Sequence, residues 1–147
     1  MTRPLLYIGS DHAGFEVKKD LISHLETHGF SIEDCGAFND DPSNYAIIAH
    51  RVSSLVQKTP GSYGILMCGT GIGASMAANR HAGIRAALCH DDSTVKSARA
   101  HNDANIIALG ARVLDRVQIL SYVDLFLKTP FEEGRHVERI QSIDEEG

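Results

Sequence analysis

Short apolar segments alternate along the chain with longer segments in which apolar positions recur every three or four residues. The first kind is typical of buried strands and the second of amphipathic helices. We predict strands at residues 5–8, 30–35, 63–67, 83–89 and 106–109. We predict helices at residues 15–28, 45–57, 74–79, 93–101 and 115–127, with a last helix beginning near residues 134–136. This alternation predicts an α/β fold, a three-layer sandwich whose parallel sheet is covered by helices on both faces.

The carboxyl ends of the predicted strands carry most of the residues that could do chemistry. In a parallel sheet these ends lie at one edge, and ligands bind in the crevice outside it. The residues at or just after the strand ends are Asp11 and His12, Cys68 to Gly73, Cys89 to Asp91, and Gly110 to Arg112. The pattern therefore predicts a functional site at this edge of the sheet.

The turn after the third predicted strand holds the strongest chemical signal. Cys68 ends an apolar run, and every second position after it is a glycine: Gly69, Gly71 and Gly73. A tight turn into a helix leaves backbone N–H groups free at the positive end of the helix dipole, which makes an anion site. The same field favours the thiolate form of Cys68. Taken without the turn, a cysteine at the end of a core strand is usually an unreactive core thiol.

The same turn partly matches a nucleotide-binding pattern. Gly69, Gly71 and Ala74 fit a weak dinucleotide motif, with two aspartates about 20 positions further on. Against this, the turn follows the third strand rather than the first, and a reactive cysteine has no role in binding a pyrophosphate. A P-loop is excluded because no Lys-Ser or Lys-Thr pair follows. A cysteine phosphatase loop is excluded because no arginine lies within a few residues after the cysteine.

Composition narrows the class of protein. A length of 147 residues suits one domain, residues 1–147, and a net charge of −5 argues against a nucleic-acid partner. No apolar run approaches the ~20 residues of a membrane helix and no signal peptide is visible, so we expect no membrane partner. The three cysteines, Cys35, Cys68 and Cys89, suit neither a disulfide framework nor a structural zinc site. We therefore expect a cytoplasmic protein, with Cys35 and Cys89 in the core.

The remaining polar candidates each have a purely structural alternative. Asp11 could simply cap a helix, and His101 could belong to the turn before the fifth strand. Arg135 and Arg139 lie four residues apart on one predicted helix face with His136 beside them, which is typical of a phosphate clamp. The alternative is that these arginines pair with the nearby acids Glu132, Glu133 and Glu138.

Six motifs then occur in a fixed order along the chain: residues 9–15, 68–73, 83–86, 101–105, 110–112 and 134–136. Their sequences are Gly-Ser-Asp-His-Ala-Gly-Phe, Cys-Gly-Thr-Gly-Ile-Gly, Gly-Ile-Arg-Ala, His-Asn-Asp-Ala-Asn, Gly-Ala-Arg and Gly-Arg-His. Together they resemble the B-type ribose-5-phosphate isomerases and their sugar-phosphate isomerase relatives. The resemblance implies a Rossmann/flavodoxin-like fold with a five-stranded parallel sheet. It also implies interconversion of D-ribose 5-phosphate and D-ribulose 5-phosphate in the non-oxidative pentose phosphate pathway, with no metal and no cofactor.

The resemblance implies a role for each matched residue. Cys68 matches the base that moves a proton between C1 and C2, and His101 matches the residue that opens the furanose ring, with Asp11 nearby. The hole for the enediolate oxygens is matched by Gly69, Thr70, Gly71, Ile72 and Gly73, and Thr70 is also counted as catalytic. The phosphate and sugar contacts are matched by His12, Asn102, Arg112, Arg135, His136 and Arg139. Because family sites are built by two chains, a homodimer or a dimer of dimers that binds a phosphorylated pentose is implied.

One segment departs from the family pattern. Residues 44–46 read Asn-Tyr-Ala where members usually carry Asp-Tyr-Pro, so we expect the loop that presents Tyr45 to a sugar to be set differently. Within the same class, a six-carbon sugar phosphate such as allose or galactose 6-phosphate is the alternative substrate. From other classes, the alternatives are a non-catalytic nucleotide-binding module and a redox-sensing role for Cys68.

Overall fold

The computed structural model describes residues 3–145, and its centre is a five-stranded sheet. The strands are β1 (Leu6–Ser10), β2 (Ile32–Asp34), β3 (Tyr63–Cys68), β4 (Ala86–Leu88) and β5 (Ile106–Gly110). They lie in the order β2-β1-β3-β5-β4, and every neighbouring pair is parallel. The order 2-1-3 is that of flavodoxin-like sheets, and β5 is inserted between β3 and β4.

Helices cover both faces of this sheet, as the pattern of apolar positions predicts. The helices are α1 (Phe15–Thr27), α2 (Tyr45–Lys58), α3 (Ile72–Ala78), α4 (Asp92–Ala100), α5 (Arg116–Lys128) and α6 (His136–Ile143). One face is packed by α1, α4 and α5, and the other by α2 and α3. The predicted three-layer α/β sandwich is therefore confirmed. None of the helices in residues 3–145 is both long and apolar enough to span a membrane.

The two edge strands are shorter than predicted. β2 and β4 have three residues each, against the six and seven that the apolar pattern predicts. An edge strand is hydrogen-bonded on one side only, so fewer of its residues hold a regular ladder. Ile84 and Cys89, which flank β4, are buried at 3 % and 1 % exposure although they lie outside the strand. Apolar character thus reports burial here rather than strand geometry.

Helix α2 lies unusually close to the sheet, and this brings its first residue to the glycine turn. A methyl group at Gly9 in β1 would lie 2.6 Å from Cγ2 of Ile48, and one at Gly64 in β3 would lie 2.9 Å from Cγ1 of Val52. Both distances are below any normal van der Waals contact, so only glycine allows this approach.

The sheet order places its crevice between β1 and β3. From β1 the chain adds β2 on one side and β3 on the other, which makes the carboxyl ends of these two strands a topological switch point. Ser10 and Cys68 are the last residues of these strands. Asp11 follows directly, and its N–H donates to the carbonyl oxygen of Met67 at 3.2 Å.

Candidate active site

Cys68 is held by the turn that follows it. Its Sγ is buried with the α2 and α3 side of the core, and the residue is 4 % exposed. The N–H of Gly71 donates to this sulfur at 3.2 Å. This hydrogen bond ties the Cys68 sulfur to the backbone of the turn.

The glycines of the turn are required by close packing as well as by conformation. Gly71 has φ +79°, and a methyl group there would lie 2.9 Å from the carbonyl carbon of Leu109. A methyl group at Gly110 would lie 2.7 Å from the carbonyl oxygen of Thr70. Within residues 3–145 the N–H groups of Thr70 and Gly73 have no hydrogen-bond acceptor. The turn therefore presents free donors beside the Cys68 sulfur, as the sequence predicts.

Asp11 caps the short 3-10 turn His12–Gly14. Its Oδ1 accepts the N–H of Ala13 at 3.0 Å, and the residue is 6 % exposed. Asp11 therefore does cap a helical turn. The same carboxylate lies at the switch point beside the end of β3, so capping and a role in the site are compatible.

His12 is fixed in one neutral tautomer by a distant loop. The N–H of Ser43 donates to Nδ1 of His12 at 3.1 Å, and the N–H of His12 donates to Oγ of Ser43 at 3.1 Å. A backbone N–H can only donate, so Nδ1 carries the lone pair and Nε2 carries the proton in the neutral ring. His12 is therefore prepared to donate from Nε2 to an anion.

Tyr45 reaches the glycine turn despite the departure from the family pattern. Asn44 caps α2 by accepting the N–H of Ala46 at 2.9 Å, so the helix begins normally without a proline. The ring of Tyr45 lies over Gly73 and leaves no space for a side chain at that position. The position of Tyr45 therefore does not require a loop that is set differently from that of other family members.

Arg112 completes the group of residues at the carboxyl edge. Its N–H donates to the carbonyl oxygen of Gly69 at 3.0 Å, and its guanidinium passes over Gly69. We call these residues the carboxyl-edge cluster: Asp11, His12, Tyr45, Cys68, Gly69, Thr70, Gly71, Ile72, Gly73 and Arg112.

The other predicted site residues lie at the opposite edge of the sheet. His101 is the C-cap of α4, and its ring stacks on that of His136 with centroids 4.7 Å apart. The adjoining segment is tied to the start of β4, because the N–H of Asn105 donates to the carbonyl oxygen of Arg85 at 3.0 Å. We call these residues the amino-edge cluster: His101, Asn102, Arg135, His136 and Arg139.

The arginines of the amino-edge cluster are available for a ligand. Within residues 3–145, ion pairs of arginine are confined to Arg85, Arg99 and Arg116. The alternative in which Arg135 and Arg139 pair with neighbouring glutamates is therefore wrong for the described residues. Both side chains are exposed on the first turn of α6 or next to it.

One chain does not bring the two clusters together. The segment containing His101 precedes β5, whereas Cys68 pairs with Gly110 at the end of that strand. The four residue steps of β5 correspond to about 13 Å along the strand. Within one chain, then, Asp11 and Cys68 are not neighbours of His101, and the proximity of His101 to Asp11 stays a prediction for a site built by two chains.

Two contacts join segments that are distant in sequence, so a local sequence pattern cannot predict them. Ser43 holds His12, and the carboxylate of Glu132 faces both histidines of the amino-edge cluster. No local pattern marks either residue. Cys35 and Cys89 are confirmed as core residues, and burial raises the pKa of each thiol to about 11.

Comparison with known proteins defines the class. The sequence pattern described as Ribose/Galactose Isomerase matches residues 6–143. The chain belongs to this family of isomerases. A Rickettsia conorii relative is 44 % identical over 138 residues, which cover 94 % of this chain and 96 % of the relative. Ribose-5-phosphate isomerase B of Escherichia coli is 38 % identical to this chain. That match covers 92 % of this chain and 91 % of the E. coli protein.

Family membership extends to the three-dimensional structure. The crystal structure of a ribose 5-phosphate isomerase from Thermotoga maritima superposes with a TM-score of 0.93 at 41 % identity. The match covers 97 % of this chain and 99 % of the Thermotoga chain. Like the rest of its family, the protein is an isomerase.

Proposed function

We propose that the protein interconverts D-ribose 5-phosphate and D-ribulose 5-phosphate through an enediolate, without a metal or cofactor. The observation that carries this proposal is the pairing of Cys68 with free backbone donors in the turn after β3. Relatives named ribose-5-phosphate isomerase B support the pentose substrate. The free state of all three cysteines supports a reducing, cytoplasmic setting for this reaction.

The proposed proton transfer uses the two parts of the turn at once. The Cys68 thiolate removes a proton from C2, beside the aldose carbonyl, and returns it to C1, while the hydroxyl proton passes from O2 to O1. The oxygen charge that develops is stabilised by the N–H groups of Thr70 and Gly73. Such donors contribute most when they are fixed before the reaction, and a base in hydrogen-bond reach typically contributes about 10²–10⁴-fold in rate.

The proposed phosphate site uses the cations and imidazoles of both clusters. His12 and Arg112 lie at the carboxyl edge, and Arg135, His136 and Arg139 lie at the amino edge. Guanidinium groups bind phosphate in a fork geometry, and binding energy at the remote phosphate fixes the reacting carbons at the base.

Ring opening at His101 requires a second copy of the chain. His101 and Asn102 would face Cys68 only if the amino edge of one subunit met the carboxyl edge of another. Several apolar side chains are exposed near these regions: Ile72, Met76, Leu88, Val137 and Ile143. A homodimer, or a dimer of dimers, would cover such side chains and complete two equivalent sites.

A six-carbon sugar phosphate is the second candidate substrate, because the family description includes galactose as well as ribose. The two candidates use the same chemistry at C1 and C2 and differ in the length of sugar that must fit between base and phosphate.

The test is conversion of ribose 5-phosphate by the purified chain in the presence of a chelator, beside its Cys68→Ala variant. Activity in the wild type and a loss of at least about 10²-fold in the variant, with substrate binding retained, is the expected result. Cys89→Ala is the matched control, because Cys89 is buried outside both clusters. Full activity of Cys68→Ala would remove this residue from the mechanism. Activity on a six-carbon sugar phosphate alone would select the second substrate.

A further inference from the structure

Three metal-binding groups converge in the amino-edge cluster. His101 ends α4, Glu132 lies in the loop before α6, and His136 is the first residue of α6. Oε1 of Glu132 lies 3.8 Å from Nε2 of His101 and 3.9 Å from Nε2 of His136. The ligand atoms of all three residues lie within 4.8 Å of one another.

These distances suit a bridging ion better than direct contacts. At 3.8 and 3.9 Å the carboxylate is too far from either ring for a hydrogen bond. A tetrahedral zinc ion with bonds of about 2.1 Å would hold its ligand atoms about 3.4 Å apart. The Glu132 carboxylate would need to move inward by only a few tenths of an ångström. The stacked rings of His101 and His136 would also have to rotate so that both Nε2 atoms point at the ion.

The backbone already holds the three segments together. The N–H of Glu132 donates to the carbonyl oxygen of Ala100 at 3.0 Å, directly before His101. The N–H of His136 donates to the carbonyl oxygen of Glu133 at 3.1 Å. His136 is buried at 8 % exposure, while the His101 side chain is 46 % exposed and leaves one side open to solvent.

The chemistry of the donor set also favours a ligand role. Two histidines and one glutamate form a set that commonly binds zinc in proteins while leaving a position for an exchangeable ligand.

We propose that a divalent transition-metal ion of the zinc type binds to His101, Glu132 and His136 and inhibits the enzyme. The ion would occupy Nε2 of His101 and so withdraw the group that opens the sugar ring. Metal binding stands on the geometry alone, whereas the inhibitory consequence rests on the function proposed above.

Binding is tested with Co²⁺ as a spectroscopic probe, in a Cys68→Ala background that removes a competing thiolate. We expect visible absorption bands at one Co²⁺ per chain, and Glu132→Gln should weaken the affinity by at least about tenfold.

Glu133→Gln is the matched control, since the neighbouring carboxylate is outside the cluster. His81→Asn serves as a second control, because His81 and His50 form a separate surface pair at 2.8 Å. Absence of the bands, or equal affinity in Glu132→Gln, would overturn the site.

Inhibition is tested with Zn²⁺ in the otherwise unmodified chain, with each rate compared with that variant's own rate in chelator. Zn²⁺ should inhibit the wild type and Glu133→Gln equally, Glu132→Gln should resist it, and chelator should restore the rate. Equal inhibition of Glu132→Gln would overturn the inhibitory role. Intact Co²⁺ binding in the Cys68→Ala chain, together with no isomerase activity in the wild type, would refute the proposed function and leave the metal site standing.

Discussion

Cys68 and His101 lie at opposite edges of the same sheet, one at the carboxyl end of β3 and the other before the amino end of β5. No rotation of side chains can bridge a gap set by the length of a strand. A reaction that needs both residues must therefore take place between subunits, and this has consequences that can be measured.

Complementation between two inactive variants tests the shared site. We expect Cys68→Ala and His101→Asn each to lose activity, and a mixed refolded sample to regain about a quarter of the wild-type rate. The reason is that random pairing makes about half of the dimers mixed, and each mixed dimer contains one intact site. The measurement is the rate of ribose 5-phosphate conversion before and after mixing.

The control for this experiment replaces His101→Asn with the double variant Cys68→Ala/His101→Asn. No pairing of that chain with Cys68→Ala can produce an intact site, so the mixture should stay inactive. An inactive mixture of the two single variants would show instead that each chain builds its site alone.

Loss of the unpaired arginines should affect substrate binding more than turnover. We expect Arg135→Ala and Arg139→Ala each to raise KM by about tenfold or more, because a hydrogen bond to a charged group contributes roughly 1.5–3 kcal/mol. The change in kcat should be smaller. Steady-state kinetics at two salt concentrations measure both effects.

Arg116→Ala is the matched control for these variants, since Nε of Arg116 already donates to Asp20 at 2.7 Å. An unchanged KM in both test variants would refute the phosphate clamp.

Gly71→Ala should destabilise the fold through a steric clash as well as through its backbone angle. Its φ is +79°, and the added methyl group would lie 2.7 Å from Cδ1 of Leu88 and 2.9 Å from the carbonyl carbon of Leu109. We expect a loss of roughly 2–4 kcal/mol in the free energy of unfolding, measured by urea denaturation.

Gly61→Ala isolates the contribution of the backbone angle. Gly61 has φ +84°, and a methyl group there would meet nothing within 4 Å. Its substitution should cost only about 1–2 kcal/mol. Equal losses at the two positions would show that the tight packing around Gly71 contributes nothing.

The pH dependence of stability should carry a contribution from His136. Its pKa is lowered in the folded protein, first by burial and then by the charge of Arg135. Between the folded value and the ordinary value of 6.5, the unfolded chain binds more protons than the native state. Stability therefore rises as pH increases through this window and falls as the solution is acidified below 6.5.

His136→Gln should reduce this slope in urea denaturation between about pH 5 and pH 7, with chelator present. At higher pH the imidazole is neutral in the folded and the unfolded state, so the slopes of stability against pH should become equal in the wild type and the variant. A slope unchanged by the substitution would contradict the lowered pKa.

The sequence predicts the carboxyl-edge cluster well because a general rule locates it. Once strands and helices alternate, parallel pairing follows, and Cys68 and Arg112 must lie at the same edge. The strand order is a different matter, since apolar alternation is the same whether β4 or β5 lies beside β3. Contacts between distant segments are also invisible in a local pattern, as Ser43 with His12 shows.

The amino-edge cluster shows a second limit of sequence reasoning. Charge spacing favours pairing of Arg135 and Arg139 with the nearby glutamates as much as it favours a phosphate site. Backbone geometry argues against pairing with Glu132, because the Glu132 N–H is bonded to Ala100 and its carboxylate is turned toward the histidines. A hydrogen bond over 32 positions cannot be derived from helical periodicity.

The donor that holds His12 in its neutral tautomer is a main-chain N–H rather than a side chain. Every amino acid except proline supplies that donor at position 43. Substitution of Ser43 can therefore remove the acceptor of the His12 N–H and still leave the same proton arrangement on the imidazole. The path of the loop sets the orientation of this histidine. A deletion in residues 36–44 would therefore disturb it more than most single substitutions.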